Sequence, residues 1–183
     1  MKTAIITGGT SGIGLATAKI FLAHDYNCVL VGRNTARFEN IKSELNGSFE
    51  FISADVRRVE DCEKIIAQTV KVFGGVDILV NSAGIYHEGA ITSTNEKLFD
   101  DIFSTNVKGT FFTTRAAVDE LIKTRGAIIN VASDAGLKGN YFCAVYSASK
   151  GAVVAFTRSL ALELANFPVR VNCVAPGDIL TPM

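Results

Sequence analysis

Several features are scarce or missing in this sequence, and each absence narrows the class of protein. Lysine plus arginine equals aspartate plus glutamate, at 18 each, so no basic excess points to nucleic acid or to an acidic membrane. Only two histidines are present, His24 and His87, and no cluster has the spacing of metal ligands. We therefore expect no metal site and no nucleic-acid or membrane partner.

The four cysteines show no Cys-x-x-Cys spacing and lie in apolar stretches of sequence. Scattered cysteines of this kind are typical of small buried hydrophobic residues in a reducing compartment. The residues after Met1 show no signal-peptide pattern, and no apolar run is long enough to cross a bilayer. These features predict a soluble, cytoplasmic protein.

The chain also lacks an internal repeat, a low-complexity segment and a linker. With 183 residues, 48% of them hydrophobic, it suits one domain with a sizeable core. Short apolar runs alternate with helix-like stretches, and the runs are mostly unbroken, as in parallel strands covered on both faces. This order predicts an α/β fold with a doubly wound, Rossmann-like parallel sheet of six strands.

The predicted strands are Ala4–Thr7, Cys28–Val31, Phe49–Ser53, Val76–Asn81, Ala127–Val131 and Val169–Val174. The predicted helices are Gly12–His24, Thr35–Leu45, Val59–Phe73, a pair within Asn95–Lys123, and Ser147–Ala165. In the last helix we expect a buried stripe formed by Ala152, Phe156, Leu160 and Leu164.

The turn after the first predicted strand is rich in glycine, with four glycines in the seven positions from Gly8 to Gly14. Glycines let the backbone bend sharply and let a ligand approach, and the following helix offers free N–H groups and a positive dipole end to a phosphate. The spacing is not Gly-x-Gly-x-x-Gly, so the most familiar fingerprint does not apply. An ordinary glycine-rich loop is the alternative, but the position favours a dinucleotide site. The expected contacts are Gly8, Thr10, Ser11, Gly12, Ile13 and Gly14.

The second and third predicted strands end beside charged residues. Where an acidic residue would bind the ribose 2′-hydroxyl of NAD(H), the sequence has Arg33, which suits the 2′-phosphate of NADP(H). This pattern favours NADP(H) over NAD(H), although a surface arginine that caps a loop would look the same. Asp55, followed by Val56, could meet the adenine edge or equally cap a turn.

The fourth and sixth strands run into turns of small residues at the edge where ligands bind in open α/β sheets. Asn81–Gly84 would let a cofactor lie against the backbone, and a plain strand-ending turn explains it as well. Asn106 falls in the next helical stretch, where an asparagine usually faces water or caps a turn. The expected cofactor contacts in these turns and just beyond are Asn81, Ala83, Gly84, Pro176, Gly177 and Thr181.

A tyrosine and a lysine four residues apart, Tyr146 and Lys150, share one face if their stretch is helical. A free tyrosine has a pKa near ~10, about three units too high for a base at neutral pH, which corresponds to roughly 4 kcal/mol. An ammonium about 4 Å away gives a comparable ~4 kcal/mol at an effective dielectric near 20, so Lys150 could tune Tyr146 for proton transfer. Many helices carry such a pair by chance, as a packed ring beside a solvated amine. Ser133 ends the preceding strand.

In their order and spacing, these motifs resemble those of the short-chain dehydrogenase/reductase family over essentially the whole chain. Each motif alone is modest, but the ordered set is highly specific and favours the catalytic interpretation of the tyrosine and lysine. The shared motifs are Thr7-Gly8-x-x-x-Gly12-x-Gly14, Asn81–Gly84, Asn106, Ser133, Tyr146-x-x-x-Lys150 and Pro176-Gly177.

The resemblance implies an NAD(P)-dependent enzyme that transfers a hydride between NADP(H) and a small carbonyl or alcohol substrate. It implies that Tyr146 is the general acid/base and that Ser133 hydrogen-bonds the substrate oxygen. Lys150 would lower the pKa of the tyrosine and hold the nicotinamide ribose, so that both Tyr146 and Lys150 also contact the cofactor. Asn106 would position a water in a proton relay. The chemistry agrees, because the substrate oxygen exchanges a proton while its carbon exchanges a hydride.

The sequence departs from the family pattern in two places. Ser82 stands where relatives more often have a second asparagine. The chain ends at Met183, whereas relatives continue with a helical segment over the substrate pocket and a seventh strand. We therefore expect a single dinucleotide-binding domain, 1–183, that is truncated at its C-terminus and leaves the sixth strand with an apolar unpaired edge.

Two other functions fit parts of the sequence. Ser147 and Lys150 match the Ser-x-x-Lys motif of serine acyl-transfer enzymes, but the partner motifs Ser-Asp-Asn and Lys-Thr-Gly do not occur. A non-catalytic dinucleotide-binding protein, either a redox sensor or a structural subunit, is favoured by the short C-terminus. The presence of Ser133, Tyr146 and Lys150 argues against it.

The substrate and the assembly are less defined. The loops expected around the substrate, Gly84–Gly89 and Ala135–Cys143, carry no decisive chemistry beyond an apolar wall of Leu137, Tyr141 and Phe142. Relatives are often dimers or tetramers built through the helices that correspond to the stretches within 95–123 and 147–165. The resemblance therefore implies a homodimer or homotetramer.

Overall fold

The computed structural model describes residues 1–181 and contains a parallel sheet flanked by helices. The strands are β1 (Thr3–Thr7), β2 (Asn27–Gly32), β3 (Phe49–Ser53), β4 (Ile78–Asn81), β5 (Ala127–Val131) and β6 (Arg170–Val174). The helices are α1 (Gly12–Ala23), α2 (Thr35–Ile41), α3 (Val59–Phe73), α4 (Glu96–Phe103), α5 (Gly109–Thr124), α6 (Ala135–Lys138) and α7 (Ala144–Glu163). Short 3-10 turns cover Lys42–Glu44 and Ile91–Ser93, and a π-helical segment covers Ser104–Lys108.

The strand order is β3-β2-β1-β4-β5-β6, and all neighbouring pairs are parallel. The order reverses direction between β1 and β4, which is the point where open α/β sheets bind ligands at the carboxyl ends of their strands. The predicted six-stranded, Rossmann-like α/β fold is therefore confirmed. Among the strands of residues 1–181, β6 lies at one edge and pairs with β5 alone.

Alternate residues of the central strands pack into two separate cores. Ile5 and Val29 lie in the core formed with α3, α5 and α7, whereas Ile6 and Leu30 lie in the core formed with α1 and α2. Successive side chains of a strand point to opposite faces, so a strand covered on both faces is apolar at every position. This is the physical reason for the unbroken apolar runs in the sequence.

The bounds of α3 agree with the prediction because the sequence marks both of its ends. Glu60 and Asp61 lie in its first turn and Lys71 in its last, which complements the helix dipole. Gly74 follows in the left-handed conformation, with φ of 84°, and its N–H bonds to the carbonyl of Val70. A glycine in this conformation ends a helix at little steric cost.

The start of α7 differs from the prediction by three residues. The helix begins at Ala144, because the N–H of Ser147 bonds to the carbonyl of Cys143 at 2.7 Å and closes a first turn upstream. Tyr146 therefore lies inside the first turn of the helix rather than in front of it.

The buried stripe of α7 also differs from the prediction. Ala152 and Phe156 are only half-buried, while Val153 and Thr157 are buried beside Leu160. Residues spaced strictly by four drift around a helix by about 40° per step, so they cannot all stay on one face. Smaller differences occur at β4 and β6, which begin at Ile78 and Arg170, two residues and one residue later than predicted.

Cys28, Cys62 and Cys143 are buried, and Cys173 on the edge strand is partly exposed; all four are free thiols. Burial raises the pKa of the Cys28 thiol to about 12, which makes it an inert packing residue. Within residues 1–181, no helix combines the length and apolarity needed to cross a membrane.

Candidate active site

The glycine-rich turn between β1 and α1 leaves no room for side chains. Gly8 and Gly12 have φ of 67° and 50°, in the left-handed region that favours glycine. A Cβ on Gly14 would overlap the carbonyl oxygen of Gly8 and lie 2.6 Å from the hydroxyl oxygen of Ser82. A Cβ on Gly8 would lie 3.0 Å from the backbone of Ala83. The turn thus presents bare backbone at the carboxyl edge of the sheet.

The turn after β4 is tied to the glycine turn by hydrogen bonds. The hydroxyl of Thr7 accepts the N–H groups of Ser82 and Ala83, both at 3.1 Å. The hydroxyl of Ser82 donates to the carbonyl of Thr7 at 2.6 Å. Ser82, which departs from the usual asparagine, therefore joins the two turns into one rigid edge.

Two cavities lie along this edge, with volumes of about 400 Å³ and about 180 Å³. The larger is within the size range of small-molecule sites. It is lined by most of the predicted residues: Gly8, Ser11, Gly12, Ile13, Gly14, Arg33, Ala83, Gly84, Ser133, Tyr146, Lys150, Pro176, Gly177 and Thr181. The smaller shares part of this lining and adds Thr10, Asp55 and Val56.

Asn81 is predicted as a cofactor contact, but the structure places its side chain elsewhere. Asn81 is buried and is not among the described residues that line either cavity. Its amide donates to the Thr114 hydroxyl and to the side-chain oxygen of Asn130, both at 2.9 Å, and Asn130 donates to Thr157. The side chain therefore crosslinks β4, β5, α5 and α7 beneath the site.

Asn106 lies in the π-helical segment, a form that is frequent at functional sites. Its side-chain oxygen accepts the N–H of Ile85 at 2.8 Å, and its amide donates to the carbonyl of Ile85 and to the hydroxyl of Ser149, both at 3.0 Å. Ser149 in turn donates to the carbonyl of Tyr146 at 2.7 Å. Both amide hydrogens are used within the protein, so this side chain links the turn after β4 to helix α7.

Tyr146 and Lys150 are both buried at the larger cavity, with 8% and 5% of their surface exposed. The Lys150 ammonium donates to the carbonyl of Val131 at 2.8 Å and lies 5.8 Å from the centre of the Tyr146 ring. Burial lowers the pKa of Lys150 to about 8.

Burial also raises the pKa of the Tyr146 phenol, while the nearby Ser133 hydroxyl acts in the opposite direction. This direction differs from the expectation that Lys150 lowers the pKa of the tyrosine. The ammonium is directed at a backbone carbonyl, and burial disfavours its own charge as well as that of the phenolate.

The Ser133 hydroxyl is held at the end of β5, where it accepts the N–H of Ala135 at 3.2 Å and donates to the Asp134 carboxylate at 3.3 Å. Ser133 and Tyr146 thus come from two different elements and meet on one wall of the larger cavity. Two hydroxyl groups converging in this way can hold one oxygen atom of a ligand.

Two arginines border both cavities. Arg33 follows β2, and its guanidinium lies 3.8 Å from the Asp55 carboxylate. Arg37, on α2, donates to the Ser11 hydroxyl at 3.5 Å and was not predicted from the sequence. The available signal was its position in the first turn of the predicted helix that begins at Thr35, just after Arg33.

Asp55 is held mainly by Arg57. The guanidinium of Arg57 donates to the Asp55 carboxylate at 2.6 Å. Burial opposes ionisation of this carboxyl, but the hydrogen bonds and charge of Arg57, with the charge of Arg33, hold its pKa below the usual range. Asp55 therefore both ends a turn and faces the smaller cavity, so the two alternatives from the sequence are compatible.

Tyr86 was also missed by the sequence analysis. It lines the larger cavity, and its ring meets that of Tyr146 edge-to-face, with centroids 4.9 Å apart and planes at 81°. An aromatic residue just after the Asn81–Gly84 turn was the available signal. Ser147, by contrast, shares no hydrogen bond with Lys150 among the described atoms, which argues against a Ser-x-x-Lys nucleophile.

The residues present fit a nicotinamide dinucleotide. The glycine cradle opens helix α1, whose N-terminus suits a pyrophosphate, and Lys150 has donors beyond the one used by Val131. Within residues 1–181, no group of three or more histidine, cysteine or acidic side chains could hold a metal ion.

Comparison with known proteins agrees with this site. A family model described as short chain dehydrogenase matches residues 2–183. A 3-oxoacyl-[acyl-carrier-protein] reductase from Bos taurus is 40% identical over 183 residues, which cover 100% of this chain and 77% of the relative. An L-fucose dehydrogenase from Bos taurus is 37% identical over 184 residues, covering 100% of this chain and 67% of the relative.

The crystal structure of a 3-ketoacyl-(acyl-carrier-protein) reductase from Brucella melitensis complexed with NADH superimposes with a TM-score of 0.95. It is 34% identical, and the match covers 99% of this chain and 77% of that one. These proteins are named as reductases and dehydrogenases, and nothing among them favours a non-catalytic binding protein. The chain is an NAD(P)-dependent oxidoreductase and belongs to the short-chain dehydrogenase/reductase family.

Proposed function

We propose that this protein reduces a small carbonyl substrate with NADP(H), with Tyr146 as the general acid/base. The observation that carries the proposal is that Ser133, Tyr146 and Lys150 line one cavity that continues to the glycine turn. The bound nicotinamide supplies or accepts the hydride. The residues of the chain hold the substrate oxygen and move its proton.

The two hydroxyl groups divide this work. Ser133 hydrogen-bonds the substrate oxygen and orients it: its Oγ is fixed by the N–H of Ala135, and its one hydrogen turns from the Asp134 carboxylate to the substrate. Tyr146 transfers the proton at its phenolic oxygen. The raised pKa of Tyr146 keeps the phenol protonated at neutral pH, which suits the acid role in carbonyl reduction.

Lys150 completes the site from below. One of its three N–H donors goes to Val131, and the others are available for the hydroxyls of a ribose. The cation of an oxidised nicotinamide would stabilise the phenolate when the reaction runs towards the carbonyl. Asn106 supports Tyr146 and Lys150, because it holds the Ile85 peptide and Ser149 beside them.

The preference for NADP(H) over NAD(H) is supported by charge. Arg33 and Arg37 border both cavities beside the Thr10-Ser11 segment, so two guanidinium groups could bind a 2′-phosphate. Asp55 partly balances Arg33, and Arg37 adds a second cation that is directed at Ser11. The parallel use of both cofactors in the assay below tests this preference.

For assembly and location we propose a homodimer or homotetramer in the cytoplasm. The oligomer is supported by two exposed aromatic side chains, Phe99 on α4 and Phe111 on α5, because association would bury their apolar surface. The cytoplasmic location is supported by the four free thiols, because free thiols suit a reducing compartment. Residues 1–183 are proposed to form one dinucleotide-binding domain.

The test is a cofactor-depletion assay with NADPH and NADH in parallel. The panel contains 3-oxoacyl thioesters, aliphatic ketones, keto sugars and steroid ketones, with L-fucose and secondary alcohols in the reverse direction. We expect NADPH consumption with at least one carbonyl and a larger kcat/KM than with NADH. Cofactor binding without turnover over the whole panel would instead favour the non-catalytic alternative.

A further inference from the structure

Tyr86 supplies the aromatic neighbour of the catalytic phenol. Its ring meets that of Tyr146 edge-to-face, and both residues line the larger cavity. The buried residues grouped with Tyr146 are otherwise small, namely Ala135 and Cys143. The ring of Tyr86 is therefore the large aromatic group against which the Tyr146 ring rests.

The Tyr86 side chain is itself held at its far end. Its hydroxyl donates to the Glu88 carboxylate at 2.9 Å and lies 3.2 Å from the sulfur of Cys143. Cys143 directly precedes α7, the helix that carries Tyr146. The ring of Tyr86 is thus fixed at its hydroxyl as well as at its backbone.

The backbone on both sides of Tyr86 is also anchored. The N–H and the carbonyl of Ile85 are both bonded to the side chain of Asn106. Further along, the N–H of Gly89 donates to the carbonyl of Phe142 at 2.7 Å. Phe142 has φ of 54°, a left-handed conformation that is rare for a bulky residue.

These contacts form a closed circuit around the catalytic tyrosine. Asn106 binds Ile85 on one side and Ser149 on the other, and Ser149 binds the carbonyl of Tyr146. Ile85 is joined to Tyr86 by the chain, and Tyr86 returns to Tyr146 through the ring contact. The backbone and the ring of Tyr146 are therefore held from opposite ends by one connected set of residues.

We propose that Tyr86 is a positioning residue that sets the orientation of the Tyr146 ring and shields its phenol from water. The proposal rests on the acid/base role proposed above for Tyr146. A proton donor must lie within hydrogen-bond reach of the substrate oxygen, and a small misplacement costs a large factor in rate. Without the Tyr86 ring, the Tyr146 ring is free to turn about its side-chain torsions into the space that opens.

The test compares Tyr86→Leu, which removes the ring, with Tyr86→Phe, which keeps it. With the best carbonyl of the panel, we expect kcat of Tyr86→Leu to fall about tenfold or more, while the Kd for NADPH stays within about threefold. Tyr86→Phe is expected to recover kcat to within about threefold of the wild type. Tyr26→Leu is the matched control, because it removes the tyrosine of another aromatic pair, Phe21–Tyr26. That pair lies at the amino ends of the strands, away from the cavities.

The pH profile supplies a readout that a merely structural role would not move. Burial raises the pKa of Tyr146, so solvent admitted by Tyr86→Leu lowers it, and the midpoint of the kcat profile moves to lower pH by about half a unit or more. The same shift is expected in the near-UV phenolate titration of the protein without cofactor. There, the difference between Tyr86→Leu and the double variant Tyr86→Leu/Tyr146→Phe reports Tyr146 alone.

The proposal is overturned if Tyr86→Leu keeps kcat within about twofold with an unmoved midpoint. It is also overturned if Tyr86→Phe loses as much as Tyr86→Leu, because the hydroxyl of Tyr86 and not its ring would then be responsible. Should Tyr86→Leu fail to bind NADPH, Tyr86→Met replaces it with a side chain that fills more of the space. Tyr146→Phe separates the two proposals, since full turnover in that variant removes the acid/base role itself.

Discussion

The Lys150 ammonium lies 5.8 Å from the centre of the Tyr146 ring, yet its hydrogen bond goes to the carbonyl of Val131. The two side chains share a helix face, as their spacing of four residues predicts. Burial acts on both in the same sense, favouring the neutral phenol and the neutral amine. The phenol of Tyr146 therefore keeps its proton more firmly than a free tyrosine, which is the form that the proposed acid role requires.

Removing the phenolic oxygen tests this role directly. We expect Tyr146→Phe to lower kcat by about 10² to 10⁴, the usual range for general acid/base catalysis. The Kd for NADPH should stay within about threefold, because the ring and its contact with Tyr86 remain. Steady-state kinetics and calorimetry check the two values. Turnover above a tenth of the wild-type rate would contradict the acid/base assignment.

The lysine predicts a pH dependence of stability. Its folded pKa of about 8 lies below the ordinary 10.5, so the unfolded chain binds more protons between these values. The free energy of unfolding therefore rises with pH in this window, and a charge-burial cost of roughly 3 kcal/mol is present below pH 8 and is relieved above it. Lys150→Met, which cannot ionise, lacks this rise.

Urea unfolding at about pH 7.5 and 9.5 checks this prediction. The free energy of unfolding of the wild type minus that of Lys150→Met should increase by about 2 kcal/mol between the two values. Lys64→Met removes an exposed lysine, and its difference from the wild type should stay flat. A flat difference for Lys150→Met as well would mean that the folded protein does not depress the pKa of Lys150.

The two arginines predict a cofactor preference. Arg33→Ala and Arg37→Ala should each raise the Kd for NADPH about tenfold, because each loses a charge-assisted hydrogen bond to a phosphate. The Kd for NADH should change by less than about threefold. Lys42→Ala controls for net charge, since this exposed cation lines neither cavity. Equal losses for NADPH and NADH would show that neither arginine binds the 2′-phosphate.

Asn81 predicts the opposite pattern, a loss of stability without a loss of cofactor affinity. Asn81→Ala leaves the hydroxyl of Thr114 and the side-chain oxygen of Asn130 without the donor that each receives from Asn81, which costs about 2 kcal/mol of the free energy of unfolding. The Kd for NADPH should stay within about threefold. Asn46→Ala, at an exposed site, should change stability by less than about 0.5 kcal/mol. A stable Asn81→Ala variant with weakened NADPH binding would restore Asn81 to the site.

Most elements could be predicted because their signals are local. The bounds of β3, β5 and α3 agree with the structure to the residue, and α3 carries its own charges and its Gly74 cap. The glycine turn was also readable, since glycine adopts the positive φ of Gly8 and Gly12 at little steric cost. The predicted bounds were wrong where the hydrophobic pattern does not mark the end of an element. At the start of α7, a hydrogen bond from Ser147 to Cys143 extends the helix upstream of the predicted first residue.

The direction of a side chain at the site was less predictable. Asn81 and Ala83 lie two residues apart in one motif, yet Ala83 lines the cavity and Asn81 is buried under it. Arg37 and Tyr86 belong to none of the sequence motifs. Only their contacts in the folded chain, with Ser11 and Tyr146, show that they lie at the site.

The sequence by itself determined the α/β class, the order of the elements and the set of groups that can bind a dinucleotide and move a proton. Those properties follow from side-chain chemistry and from spacings within one turn or strand. Tertiary structure alone decided that the Lys150 amine meets Val131, that Asn106 holds Ile85 and that the Tyr86 ring contacts that of Tyr146. These contacts join segments far apart in the chain. Burial in the assembled fold also shifts the pKa values of Tyr146 and Lys150.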